Sequence, residues 1–129
     1  MFEQPTFLEP CVRRIILNKL RVQASVGILP HELTAKQPLL ISCEVRMQDA
    51  PLVPAQDDVS HVLDYRRIRQ IAIDQAQNSH INMLESLAGQ ICEKILVLPG
   101  VSAAMVRIDK PNIFPDCDGV GVEVTAEKV

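Results

Sequence analysis

The sequence predicts an α+β fold in which two helices cover one face of a four-stranded, antiparallel sheet. Three observations lead to this prediction. Apolar residues alternate in two segments near the start of the chain and in one near its end, as in strands with one buried face, and residues 101–108, before the last of these, are also predicted to form a strand. Between these pairs they recur every three or four residues, as in amphipathic helices. The order is therefore ββααββ, and a chain of 129 residues favours one domain.

The first predicted strand covers residues 14–26, where apolar and polar side chains alternate and only Asn18 interrupts the apolar face. Residues 27–37 contain glycine and proline and are predicted to form a loop. Residues 39–47 alternate again, and the short connection favours an antiparallel hairpin. The residues of the first strand predicted to face the core are Ile16, Leu20, Val22, Ala24 and Val26.

Two helices are predicted in the middle of the chain, after an irregular segment at residues 49–58. The first covers about residues 65–78 and the second residues 82–97, where a Pro-Gly pair soon follows. Asn82 and Glu85, three positions apart, resemble a capping box at the start of the second helix. The core-facing residues are predicted to be Ile68, Ile71, Ala72 and Ala76 in the first helix, and Leu84, Leu87, Ala88, Ile91, Cys92 and Ile95 in the second.

The last two strands are predicted at residues 101–108 and 120–126. The edges of such a sheet carry unpaired backbone groups, and the edge strands of this chain lack proline. We therefore expect copies of the chain to associate through their sheet edges. Residues 13–129 form the predicted domain, and residues 1–12, which contain two prolines, form a loose N-terminal arm.

Composition excludes several classes of partner. The net charge is −3 and aromatic residues make up 3%, which argues against nucleic acid and against anionic membranes. We find no segment near 18 apolar residues and no signal peptide, so a cytoplasmic protein is expected. Four widely spaced cysteines are predicted to be free thiols, and no spacing of histidine or cysteine indicates a metal site.

Two charged residues are candidates for proton transfer. Lys110 ends the third predicted strand, directly before Pro111 and a polar loop. It is either a solvated lysine or an amine at the floor of a cleft that donates and accepts protons. Glu32 lies in the loop after the first strand. It is either an exposed loop residue or the partner of Lys110 at the rim of a pocket.

Two further residues have both structural and functional interpretations. Glu85 either completes the predicted capping box or binds a ligand edge that presents two parallel N–H groups. Tyr65, the only tyrosine, follows Asp64 in the first turn of the first helix. It is either an amphipathic residue at the boundary of sheet and helix or a phenol that donates a proton.

Together and in this order, five segments resemble the dihydroneopterin aldolase family. They span nearly the whole chain from Arg14 onward. The chain departs from the common pattern before Gly27, where aromatic residues are often found, and at residues 51–56, which have no assigned role. The five segments are Ser25-Val-Gly-Ile-Leu-Pro-His-Glu32, Val62-Leu-Asp-Tyr65, Met83-Leu-Glu-Ser-Leu-Ala88, Val106-Arg-Ile-Asp-Lys-Pro111 and Asp118-Gly-Val-Gly-Val-Glu-Val124.

The resemblance implies the tunnelling fold, a ββααββ unit whose copies join edge to edge. In that family four subunits form a ring, two rings stack into an octamer, and active sites lie between neighbouring subunits. The implied substrate is 7,8-dihydroneopterin. The implied products are glycolaldehyde and 6-hydroxymethyl-7,8-dihydropterin, a folate precursor.

The resemblance also implies how the substrate is held. Glu85 corresponds to the residue that anchors the 2-amino-pyrimidinone edge of the pterin. Groups at Leu84, Asp64 and Tyr65 assist it, and Glu32 also contacts the substrate.

For catalysis, the resemblance makes Lys110 the general acid and base, with Glu32 as its partner. Tyr65, from a neighbouring chain, protonates the carbon intermediate. The ring of a 7,8-dihydropterin contains a conjugated C=N that accepts the electrons of the broken bond. No cofactor, metal or lysine Schiff base is therefore expected.

Other functions remain open on the sequence. A related epimerase acts on dihydroneopterin triphosphate, whose phosphates require cations at the rim of the site. The two rim loops offer Lys36 and Lys110 against Glu32, Asp116 and Asp118, which favours the unphosphorylated substrate, while three further cations lie nearby in sequence, Arg66, Arg67 and Arg69. Aldolases of the family also epimerise, because the intermediate can recombine. An oxygenase relative is disfavoured by the presence of Tyr65. A pterin-binding ring protein without turnover is a further alternative.

Overall fold

The computed structural model describes residues 11–129 and has the predicted α+β architecture. Its strands form one antiparallel sheet in the order β1-β2-β3-β4, so that β1 and β4 are the edges. Two long helices pack on one face of this sheet. The elements are β1 (Arg13–Ala24), α1 (Pro30–Thr34), β2 (Gln37–Met47), α2 (Tyr65–Gln77), α3 (Leu84–Leu96), β3 (Val101–Lys110) and β4 (Val120–Glu127), with a 3-10 turn at Val59–His61.

The core lies between the sheet and the two long helices. The alternation of β2 buries one side chain in two, and the predicted apolar face of α3 is buried in full. The predicted face of α2 is also buried, except that Ile71 is only partly so. Burial of these side chains is what fixes the helices to the sheet. The largest fully buried ones include Leu39, Ile41, Ile68, Leu87, Ile91, Ile95 and Ile108.

One prediction for β1 is wrong. Ile16 is 62% exposed, whereas Ile15 and Leu17 pack against the core. A bulge between Leu17 and Leu20 causes the difference, and Lys19 has a φ of 50° within it. Because a bulge inserts an extra residue, the core face changes from odd to even positions along the strand.

Two boundary predictions also need correction. The predicted loop at residues 27–37 contains the short helix α1, and its last residue already belongs to β2. The proposed capping box is absent, because α3 begins at Leu84 with Met83 as its N-cap and without a side-chain cap. Asn82 therefore lies one residue before the cap. The predicted N-terminal arm lies outside the described residues as far as residue 10.

The two ends of the sheet carry different elements. At one end Ala24 pairs with Gln37 and Lys110 pairs with Val120. The segment before α3 lies beside the segment after β1 at this end, because Ile81 pairs with Val26. We call this the lysine end. The start of α2 lies at the other end, where Asp64 lines a cavity of about 600 Å³ with the first residue of β1. We call this the tyrosine end. Within the described residues no helix is both long and apolar enough to cross a membrane.

Candidate active site

An ion pair between Lys110 and Glu32 is the centre of the candidate site. Lys110 is the last residue of β3, and its Nζ lies 2.6 Å from Oε2 of Glu32. The two side chains are 14% and 2% exposed. A pair this poorly solvated is screened much less by water and salt than a surface ion pair. The structure thus brings together two of the residues that the sequence singled out, although they are 78 positions apart.

Glu32 is held by its neighbours in the charged form. Besides Lys110, the side-chain amide of Gln37 donates to Oε2 at 2.8 Å, and the Leu29 N–H donates to Oε1 at 3.2 Å. Burial raises the pKa of the Glu32 carboxyl, but these hydrogen bonds and the charge of Lys110 outweigh it and lower the pKa to about 2. Glu32 is therefore a permanent anion at neutral pH, and it is not an exposed loop residue.

Gly27 makes room for the Glu32 carboxylate. Its φ is +114°, and a Cβ built on it would lie 2.2 Å from Cδ of Glu32. Any larger residue would strain the backbone and displace the carboxylate. The turn after β1 thus requires glycine because the acid packs directly against the chain.

The segment that contains Gly27 is tied to the segment that precedes α3. Ile81 donates its N–H to the Ser25 carbonyl at 3.1 Å and accepts the Gly27 N–H at 2.9 Å. His80 adds side-chain contacts to Ser25 and Gly27 at 2.5 and 2.9 Å. These bonds fix the relative position of the loop that carries Glu32 and the start of α3.

Glu85 lies at the same end of the sheet as the ion pair. It is exposed in the first turn of α3, next to the buried Leu84. The N-terminus of a helix favours a carboxylate in its charged form. The lysine end therefore presents both an exposed acid and a buried acid that holds an amine.

Tyr65 and Asp64 lie at the tyrosine end. Asp64 caps α2 by accepting the Arg66 N–H at 2.9 Å, and it forms an ion pair with the Arg66 guanidinium. Hydrogen bonds from Arg66 lower the pKa of the Asp64 carboxyl. Tyr65 is 71% exposed. A helix of 13 residues is about 20 Å long. Because α2 ends at the lysine end, Tyr65 lies far from Lys110 of its own chain.

Sequence reasoning did not identify three residues of this site, Gly27, Gln37 and His80, as part of it. None of the three belongs to a chemical motif in the sequence, so only the fold shows what they contact. Among residues 11–129, no group of three or more histidine, cysteine and acidic side chains is placed to hold a metal ion.

Comparison with known proteins places this site in a family context. The family model for dihydroneopterin aldolase (FolB) matches residues 15–125. A dihydroneopterin aldolase of Methylorubrum extorquens is 38% identical over 100 residues, which cover 77% of this chain and 76% of the relative. A dihydroneopterin triphosphate 2'-epimerase of Pseudomonas aeruginosa is 28% identical over 121 residues, which cover 94% of this chain and 98% of the relative.

A similar fold is found in a solved structure that contains a bound ligand. The crystal structure of dihydroneopterin aldolase from Burkholderia thailendensis bound to guanine superimposes with a TM-score of 0.82 at 29% identity. The match covers 96% of this chain and all of that one.

Proposed function

The chain belongs to the dihydroneopterin aldolase family, and we propose that it cleaves 7,8-dihydroneopterin to glycolaldehyde and 6-hydroxymethyl-7,8-dihydropterin. The ion pair of Lys110 with Glu32 carries this proposal. A retro-aldol reaction needs a group that moves protons at a fixed place, and the buried acid keeps the amine at one position. The higher identity to an aldolase than to an epimerase favours this activity.

Recognition of the pterin is assigned to Glu85. A pterin offers two adjacent N–H groups on its 2-amino-pyrimidinone edge, and one carboxylate can accept both. Guanine carries the same edge, and the Burkholderia thailendensis relative was solved with guanine bound. Glu85 is exposed and lies at a helix N-terminus, where its charge is favoured. The backbone at Leu84 completes this part of the site.

The chemistry uses the substrate as its own electron acceptor. The side-chain carbon–carbon bond breaks and its electron pair moves into the ring C=N. Glycolaldehyde forms as the hydroxyl proton of the leaving fragment passes to the amine of Lys110, replacing the proton that this amine gives to the ring nitrogen. Lys110 donates a proton to the ring nitrogen as the electrons arrive, and Glu32 keeps the amine charged for this step. Protonation of the remaining carbon gives the hydroxymethyl product, and the nitrogen-bound proton returns to the group that protonated the carbon.

The final protonation is assigned to Tyr65 of a neighbouring copy. Tyr65 is exposed at the tyrosine end and remote from Lys110 of its own chain, so only another copy can bring it there. Association through the edge strands β1 and β4 into a tetrameric ring, and of two rings into an octamer, would supply it. Light scattering tests this assembly. A mass of four or eight times 14.3 kDa supports it, and a monomer contradicts it.

The function is tested by offering the purified protein 7,8-dihydroneopterin and its triphosphate and separating the products by chromatography. We expect glycolaldehyde and 6-hydroxymethyl-7,8-dihydropterin from the free substrate. Epimerisation of the triphosphate without glycolaldehyde release would contradict the proposal and establish the epimerase alternative.

The epimerase alternative rests on the Pseudomonas aeruginosa relative, which matches over nearly its whole length. Among the cations considered for a triphosphate, Arg66 is engaged by Asp64. Because this ion pair already neutralises the charge of Arg66, we favour the unphosphorylated substrate. We also propose a cytoplasmic location, since the four cysteines are free thiols, which is typical of a reducing compartment.

A further inference from the structure

His80 connects two segments that serve different parts of the proposed reaction. Its Nε2 lies 2.9 Å from the Gly27 carbonyl oxygen, and its Nδ1 lies 2.5 Å from Oγ of Ser25. A carbonyl oxygen only accepts hydrogen bonds, so Nε2 carries the proton. In the neutral ring Nδ1 then accepts a hydrogen bond from the Ser25 hydroxyl. The imidazole therefore bridges a main-chain acceptor and a side-chain donor two residues apart.

This bridge reinforces a short parallel pairing. Val26 and Ile81 form an isolated parallel bridge, with one main-chain hydrogen bond to Ser25 and one to Gly27. His80 makes its two contacts to the same two residues. Four hydrogen bonds thus join residues 25–27 to residues 80–81. Val26 and Ile81 are themselves buried, so core packing holds the segments together even without the imidazole.

Each side of the pairing leads to a part of the site. Gly27 lies directly against the Glu32 carboxylate, which holds Lys110. On the other side, Ile81 is followed after two residues by Leu84, where α3 begins and presents Glu85. A change in the Gly27 carbonyl position would therefore move the acid that holds the amine, relative to the acid that holds the pterin.

We infer that His80 is a positioning residue that keeps the Lys110–Glu32 pair at a fixed distance from the pterin anchor. The inference rests on the proposed aldolase function. The substrate is fixed at Glu85 and reacts at Lys110, so a small error in spacing lowers the rate of the chemical step. It leaves the affinity for the pterin ring unchanged, because His80 does not contact Glu85. Misplacement of a reacting group by about 1 Å costs about 100-fold in rate.

The test compares His80→Ala, His80→Gln and a matched control, Gln77→Ala, in the full-length protein. Gln77 also donates from its side chain to a main-chain carbonyl of β1, that of Gln23 at 3.3 Å, but it touches neither segment of the site. The measurements are kcat for 7,8-dihydroneopterin, the dissociation constant of neopterin, and the pKa of Glu32 by carbon-13 NMR. The NMR titration needs no substrate.

We expect His80→Ala to lower kcat by about tenfold with little change in neopterin affinity, and to raise the pKa of Glu32 from about 2. In His80→Gln the amide can donate to the Gly27 carbonyl in place of Nε2, so most of the lost kcat should return. Gln77→Ala should match the wild type in both kcat and the Glu32 titration.

Two results would overturn the inference. In the first, His80→Ala has the same kcat and Glu32 titration as Gln77→Ala. In the second, His80→Ala and Gln77→Ala lose kcat equally. If the wild type releases no glycolaldehyde, the proposed function fails instead. The Glu32 titration then decides by itself whether His80 positions the ion pair.

Discussion

The lysine end and the tyrosine end of the sheet differ in how far a single chain supplies contacts to the candidate site residues. At the lysine end Glu32 is buried, and every oxygen of its carboxylate has a partner from its own chain. At the tyrosine end Tyr65 is exposed, among other exposed apolar residues such as Val59 and Val62. One chain therefore assembles the acid/base pair by itself but leaves the proposed proton donor for carbon facing outward. The site that we propose therefore requires a second chain.

The largest effect is expected from Lys110, because the lysine end is the part of the site that a single chain builds. Lys110→Gln keeps a hydrogen-bond donor toward Glu32 but cannot transfer a proton. We expect turnover of 7,8-dihydroneopterin to fall by about 10²–10⁴-fold while neopterin still binds. Steady-state kinetics and calorimetry measure the two effects. Lys94→Ala, at an exposed position of α3, is the control. Near-normal turnover in Lys110→Gln would remove the acid/base role.

A smaller effect, on binding, is expected from Glu85, which is exposed where Glu32 is buried. Glu85→Ala removes two charge-assisted hydrogen bonds to the pterin and should weaken neopterin binding by about 10–100-fold. The dissociation constant measured by fluorescence titration checks this. Glu93→Ala, an exposed acid on the same helix, should leave the dissociation constant unchanged. An unaltered constant in Glu85→Ala would exclude it as the anchor.

The third effect concerns stability and its dependence on pH. The folded-state pKa of Glu32 is about 2, below its ordinary value of 4.5, so its contribution to stability is complete above pH 4.5 and is lost as the pH falls toward 2. Glu32→Gln should therefore be less stable than the wild type by roughly 3 kcal/mol at pH 7. Urea unfolding should show this difference shrinking between pH 4.5 and pH 2. A difference that does not change with pH would contradict the buried ion pair. Glu93→Gln is the exposed control.

The sequence predicted the elements of the fold better than their local irregularities. Two-residue alternation located β1, β2 and β4, but it could not show the bulge at Lys19. There the main-chain N–H donates to Oγ of Ser42 on the next strand, at 3.0 Å. The spacing of Asn82 and Glu85 matched a capping box, but the helix begins later, since spacing alone does not fix where the first helical turn forms.

The residues proposed for the site were named from the sequence, but the residues that support them were not. Lys110, Glu32 and Glu85 were identified through a family resemblance, since each alone has an ordinary structural interpretation. Their supports, Gln37 and Gly27, become visible only when the fold brings distant segments together. Conversely, the separation of Tyr65 from Lys110 depends on the direction in which α2 crosses the sheet, which periodicity does not reveal.

The most direct test of a site shared between chains is complementation between two inactive variants. Lys110→Gln lacks a functional lysine end and Tyr65→Phe lacks a functional tyrosine end. The two proteins are refolded together in equal amounts, and aldolase activity is compared with that of each variant alone. If each site takes Lys110 from one copy and Tyr65 from another, random mixing should restore about a quarter of wild-type activity. Activity no higher than that of the separate variants would contradict the shared site.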